Sequence, residues 1–398
     1  MKIKYRKDAL ILFLILFFHI ADCFSKEVYS IAFFNYMKNL MMLFFIINCL
    51  IQKKIKNTWF CRDDAKEILL MSAAFLLISI YQMVRNDTFN IVPFVGVFRI
   101  LIPLAGAFYS VNIFKLEDIT RILKVILCIS FAAYILDLLL THRFSIDAFF
   151  RLTLSGFNDV STESDMFSPL SMGLCIYLCA NERKNKWKLL SLIFVIMTNK
   201  RIMILYAFIL FFLGQYLLKN TVKKRLVIVT AIGTVIVTAI YIQMNLQIID
   251  DTIIRKLFNV NLDSFGMGRA WLYRNIYNSN YKSAGFQTLN STKFVLRGAE
   301  MDFPNMYLEM GILAVLVCVY TIFKLIRANA YNYIIVTFVM AEMVTSHFID
   351  ITYFWIFFYL TIMEINKSQK ISIREDYESG EKNEWTGKNI SHYSGIQC

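Results

Sequence analysis

Apolar runs of roughly 17–22 residues recur along most of this chain, and each is long enough to cross the hydrocarbon of a bilayer. A soluble chain of 398 residues would divide into cores whose elements show an amphipathic period. Here 58% of the residues are hydrophobic, with 36 Phe and only 4 Pro. The pattern predicts an all-α, polytopic transmembrane helical bundle. About twelve spans fall near residues 8–25, 31–51, 67–84, 91–114, 119–140, 166–180, 188–198, 202–218, 226–246, 306–323, 331–348 and 350–366. Residues 1–246 then hold spans one to nine, and 247–305 form one large outer loop containing short helices. Residues 306–366 hold the last three spans, and 367–398 are a polar tail without an apolar pattern, read as disordered and cytoplasmic.

The formal net charge is +13, but the basic residues cluster between apolar runs and no nucleic-acid recognition motif accompanies them. Clustering of that kind is a topology signal. With the N-terminus inside, Lys53, Lys54, Lys56, Lys184, Lys186, Lys223, Lys224 and Arg225 all fall on the inner face. Both termini are then cytoplasmic, in a multi-pass protein of the cytoplasmic (inner) membrane. The first run, Ala9 to Phe24, follows a basic segment and lacks a good cleavage site, so it reads as a retained signal-anchor. The eight cysteines are scattered, mostly in apolar runs. Cys175 and Cys179 share a helix face without a nearby His and read as packing residues. No zinc spacing or cofactor motif is present.

The charge pattern forces one unusual hairpin. Arg183–Lys188 and Lys219–Arg225 both belong inside, so Leu189 to Leu218 must cross twice, turning at Asn199-Lys200-Arg201. The first leg is only about ten residues, on the order of 15 Å of helix against a core of about 30 Å. The turn should therefore lie below the outer surface, where cations need a wet or anionic cavity. Arg201 reads either as a turn residue reaching for head groups or as a bidentate ligand of a diphosphate. Lys200 is a second donor or a topological neighbour.

Between Asn245 and Asn305 the chain stays polar, and Arg255 to Arg297 holds seven basic residues against one acid, Asp263. Within it, Arg269 follows Gly266-Met267-Gly268 at a predicted helix start that Asp263 or Ser264 would cap. A helix N-terminus beside Arg269 is a seat for phosphate, with Arg274 assisting. Trp271, Tyr273 and Tyr277 read as interfacial anchors or sugar-stacking rings. Arg99 lies mid-span and needs a substrate or a partner, with Asp137 and Glu342 as the candidates. For a general base, Asp302, Glu300 and the other outer acids stand beside His347 and Asp350, three residues apart at a tight turn. The bland reading of His347 is a polar helix end.

Taken in order, these features resemble bacterial O-antigen and capsular polysaccharide polymerases of the Wzy type and their relatives, the O-antigen ligases. Thr198-Asn199-Lys200-Arg201 is similar to the family's short outer turn with its arginine. Phe265-Gly266-Met267-Gly268-Arg269-Ala270-Trp271-Leu272 is similar to the Gly-Arg element of its large loop. Pro304-Asn305-Met306-Tyr307-Leu308 resembles its His-Asn-x-Tyr-Leu element, and Arg151 to Asp159 its Arg…Gly-Phe stretch. One departure is Pro304, which stands where ligases carry His.

The resemblance implies metal-independent, inverting glycosyl transfer that joins oligosaccharide repeat units carried on undecaprenyl diphosphate at the outer face of the membrane. No cofactor is implied. Arg201 and Arg269 would hold the diphosphate, with Lys200 and Arg274 beside them, and Asp302, or Glu300, would accept the acceptor's proton. Arg99, Asn305, Tyr307 and His347 are further substrate contacts. A flippase and a chain-length regulator of the same pathway are the expected partners. The alternatives are a ligase moving finished glycan, and a flippase or transporter. A transporter would carry ionisable residues through many spans or show an internal repeat, and neither is seen in the sequence.

Overall fold

The computed structural model describes residues 2–28, 33–51, 60–142, 164, 166–259, 261–265, 269–279, 281–289 and 300–384. Among these the regular structure is helical, with one isolated bridge between Thr221 and Asn329. The helices are α1 (Lys2–Val28), α2 (Phe33–Ile51), α3 (Arg62–Asn86), α4 (Val92–Ile113), α5 (Leu116–Leu140), α6 (Phe167–Asn181), α7 (Asn185–Met197) and α8 (Arg201–Lys219). They continue with α9 (Lys224–Asn245), α10 (Thr252–Phe258), α11 (Leu262–Phe265), α12 (Arg269–Asn278), α13 (Asp302–Met310), α14 (Ile312–Lys324), α15 (Ala330–Thr345) and α16 (Thr352–Glu384).

Five helices, α3, α4, α5, α8 and α9, are long and apolar enough to cross a membrane. Shorter apolar helices lie within α1 and α2 and at α6, α14 and α15. The outer flanks of α8 and α9 present Leu205, Phe212, Ile232 and Val237, all more than half exposed. Apolar flanks of that extent match a lipid environment better than water.

Two helices form the centre. Every residue from Phe167 to Cys179 in α6 and from Thr352 to Asn366 in α16 is buried, as expected for helices apolar on all sides. They pack directly on each other. At Gly173 the Phe357 ring lies where a side chain would stand, 2.6 Å from an added Cβ, so glycine permits the close crossing. Cys175 and Cys179 sit in this packing with their sulfurs 3.8 Å apart and unbonded.

Three features differ from the sequence reading. The run at 306–323 is not one span: it breaks at Gly311, with φ 80° and ψ 179°, into α13 and α14. That backbone region is open almost only to glycine. The polar segment after Lys367, read as disordered, continues α16 to Glu384, with 385–398 outside the described residues. Its composition, rich in Glu, Lys and Arg, suits helix.

The third difference concerns the stretch read as an outer loop, part of which is buried. Ala284, Phe286 and Leu289 are at most 5% exposed. Phe286 N donates to Ser79 Oγ in α3, and Gln287 N and Leu289 N donate to the two carboxylate oxygens of Glu309, each at 2.7 Å. A buried loop needs such partners for its backbone. Gly285 makes the entry possible, with φ 108° and a would-be Cβ 2.3 Å from Ser79 Cβ.

Ion pairs collect at the two ends of the bundle. At the far end Asp64 meets Arg327 at 2.9 Å and Asn366 at 3.1 Å, Glu67 meets Lys324 at 2.7 Å, and Glu182 meets Lys124. At the near end lie Lys38–Asp22, Arg99–Asp350, Arg269–Glu300 and His347–Asp302. Asn366 follows Thr352 by fourteen residues of α16, so the layers stand on the order of 20 Å apart. Gly285→Ala should lower stability by about 1–3 kcal/mol through backbone strain alone, before the clash with Ser79 is counted. Thermal unfolding of the detergent-solubilised chain measures it, and an unchanged midpoint would contradict the tight seat.

Candidate functional site

At the near end a cavity of about 270 Å³ is lined by Lys38, Met166, Lys200, Arg269, Glu300, Ser346, His347, Asp350, Ile351, Thr352 and Tyr353. Its walls come from α2, Met166 just before α6, the turn between α7 and α8, α12, Glu300 two residues before α13, and the turn between α15 and α16 with the first two residues of α16. Distant parts of the chain therefore converge on one space.

The imidazole of His347 is part of this lining. Nδ1 lies 2.7 Å from Asp302 Oδ1, and Nε2 lies 3.2 Å from Asp350 Oδ1. Asp350 in turn accepts from Arg99 Nη1 at 3.1 Å, which makes a chain Arg99–Asp350–His347–Asp302. Asp302 is buried, and its second oxygen accepts the N–H groups of Phe348 and Ile349 at 2.7 and 2.8 Å. Its own N–H donates to the Ser346 carbonyl. The first residue of α13 thus sets the shape of the α15–α16 turn and the orientation of the ring.

Burial acts against a charge on His347, but the Asp350 and Asp302 carboxylates outweigh it and hold the imidazole protonated well above the ordinary histidine range. Burial also pushes the Asp302 carboxyl up, opposed by His347 and the Phe348 N–H. The imidazolium–carboxylate form governs, because each of the three partners of Asp302 is a donor.

The cations are arranged around this chain. Arg269, the first residue of α12, reaches Glu300 at 2.8 and 2.9 Å and donates to the Thr345 carbonyl at 3.0 Å. Lys200 lies at the start of α8, half-buried, and among the described residues its ammonium has no acidic partner. Lys38 is 5% exposed and paired with Asp22 at 2.5 Å.

Of the residues singled out in the sequence, Lys200, Arg269, Glu300 and His347 line the cavity. Arg201 does not: it is exposed one residue beyond Lys200. Arg274 turns to Asp263, which lies within the short α11. Arg99 pairs with Asp350, neither with Asp137 nor with Glu342, because the α15–α16 turn brings Asp350 against α4. Asn305 is buried, accepting from Tyr273 Oη at 2.8 Å, beside a water-sized space shared with His347, Asp302, Gln287 and Glu309. Tyr307 lies off the cavity.

Trp271 and Tyr277 are exposed, as interfacial anchors would be, but Tyr273 is buried and ties α12 to Met301 and Asn305. Gly266-Met267-Gly268, Arg151 to Asp159 and the acids 147, 159, 163 and 165 lie outside the described residues. Lys38, Met166 and Tyr353 were missed. A lone lysine inside an apolar run was the available signal for Lys38, by the same rule that flagged Arg99. No family model, curated protein or solved structure matches the chain.

Because the folded pKa of His347 lies above its unfolded value near 6.5, its stabilising contribution is complete below that pH and is lost as pH rises through the folded value. Melting of the detergent-solubilised chain between pH 6 and 9 should show this decline, and His347→Gln should flatten it. An identical pH dependence in the variant would rule out the two-carboxylate seat.

Proposed function

We propose that this protein is a polysaccharide polymerase of the membrane, joining oligosaccharide repeat units carried on undecaprenyl diphosphate by metal-independent, inverting glycosyl transfer at the outer face. The observation that carries the reading is the cavity in which Lys200, lacking a counterion among the described residues, and Arg269 face the His347–Asp350 pair. A leaving lipid diphosphate needs fixed cations where its charge develops, and an attacking hydroxyl needs a proton acceptor within reach of the same space.

In this reaction the acceptor hydroxyl oxygen bonds to the anomeric carbon of the donor sugar as the bond from that carbon to the diphosphate oxygen breaks. Lys200 and Arg269 take the negative charge that appears on the diphosphate. The hydroxyl proton passes to the Asp350 carboxylate, which His347, already protonated, holds through Nε2; each of the two side chains is about one quarter exposed. Asp302, the sequence's first choice as base, has no exposed surface and acts through His347 as a positioning residue. Glu300 holds Arg269.

The departure at Pro304 is consistent with this assignment. The imidazole comes from the α15–α16 turn and reaches Asp302, two residues before Pro304. The volume of about 270 Å³ lies at the small end of ligand pockets, suited to a headgroup with its first sugar and not to a whole oligosaccharide.

Lys200→Ala, Arg269→Ala and His347→Ala should each reduce glycan elongation by about 10²–10³-fold, the loss typical of one oxyanion-stabilising or proton-transferring group. Gel analysis of surface glycan in a complemented deletion strain should show single repeat units accumulating. Polymer of unchanged length with both Lys200→Ala and Arg269→Ala would refute the assignment, whereas finished polymer left unattached would mark a ligase.

A further inference from the structure

Lys38 is a cation in an unusual place. It lies in the apolar helix α2, 5% exposed, with its ammonium 2.5 Å from Asp22 of α1, itself fully buried. Removing both charges from water costs several kcal/mol per ion, and an apolar pair of equal volume would often serve packing as well or better. Lys38 nevertheless reaches the same cavity as Lys200 and Arg269. The three cations come from three separate parts of the fold, on α2, the α7–α8 turn and α12.

We propose that Lys38 is the seat of the second phosphate of a diphosphate ligand, with Asp22 acting as the counterion that holds the ammonium in place while the site is empty. This rests on the function proposed above, and it assigns a residue and a discrimination that the function does not require. Lys200 and Arg269 suffice for one phosphate, and a monophosphate would satisfy them. A third cation lining the same cavity adds a reason to prefer a diphosphate. Asp22 supplies the opposite charge beside Lys38, and a phosphate oxygen entering the cavity meets a wall that Lys38 lines.

The test is isothermal titration calorimetry on the detergent-solubilised full chain with farnesyl diphosphate, farnesyl monophosphate and inorganic diphosphate. Lys38→Met should weaken farnesyl diphosphate about tenfold or more, the loss expected when one charge-assisted hydrogen bond goes. Farnesyl monophosphate affinity should stay the same. Inorganic diphosphate should show the same loss, since Lys38 is assigned to phosphate and not to the lipid chain, and a loss confined to the prenyl form would overturn the assignment.

The double variant Asp22→Asn/Lys38→Met separates binding from folding by removing the stranded carboxylate. It should bind diphosphate as weakly as Lys38→Met, and recovery of wild-type affinity would show the pair to be structural only. Diphosphate binding that depends on Lys200 and Arg269 but not on Lys38 overturns this proposal alone. A wild-type chain that binds no diphosphate overturns the proposed function with it.

Discussion

The near end of the bundle depends on the buried carboxylate of Asp302. It sits at the first residue of α13, takes the Phe348 and Ile349 N–H groups, and fixes the ring of His347. Backbone donors and an imidazole reaching one acid from 45 or more residues away join α13 to the α15–α16 turn. Through His347 and Asp350 the network extends to Arg99 on α4. A buried network of this kind is worth keeping only when every member has a partner, and here each charged member has one of opposite sign.

That network stands on a dry support. Below it the wholly buried stretches of α6 and α16 cross closely at Gly173 and Phe357, and a second polar layer closes the far end around Asp64, Arg327 and Asn366. Rigid apolar helices between two charged layers hold the side chains of the cavity at fixed separations, which a site assembled from six sequence-distant segments requires. The break at Gly311 contributes to the same end. It frees α13 from the line of α14, so that Asp302 and Glu309 can serve the His347 turn and the buried stretch 283–289 respectively.

Much of the helical layout is legible from apolar run length, because a segment that spends its length in hydrocarbon must satisfy its own backbone. The turn between α7 and α8 was likewise readable from charge, since two basic flanks predict a hairpin between them. The individual cation was not: Lys200 and Arg201 are adjacent, and only the start of α8 decides that Lys200 meets the cavity while Arg201 is exposed. The partner of Arg99 was equally hidden, because Asp350 is 251 residues away and reaches α4 only through the turn that Asp302 shapes. The buried loop escaped notice because its polar flanks outweigh the short apolar run Ala284-Gly285-Phe286.

By itself the sequence determined that this chain is helical and carries segments able to cross a membrane, since hydrophobic length and composition are local properties. It also marked Lys200, Arg201, Arg269, Arg274, Glu300, Asp302 and His347 as chemistry in a chain otherwise dominated by apolar residues. Tertiary structure alone decided that Lys200, Arg269, Glu300 and His347 line one cavity with Lys38 while Asp302 lies buried behind His347. The reason is physical: which buried charges meet depends on helix packing and turn geometry, and those arise from contacts between residues far apart in the chain.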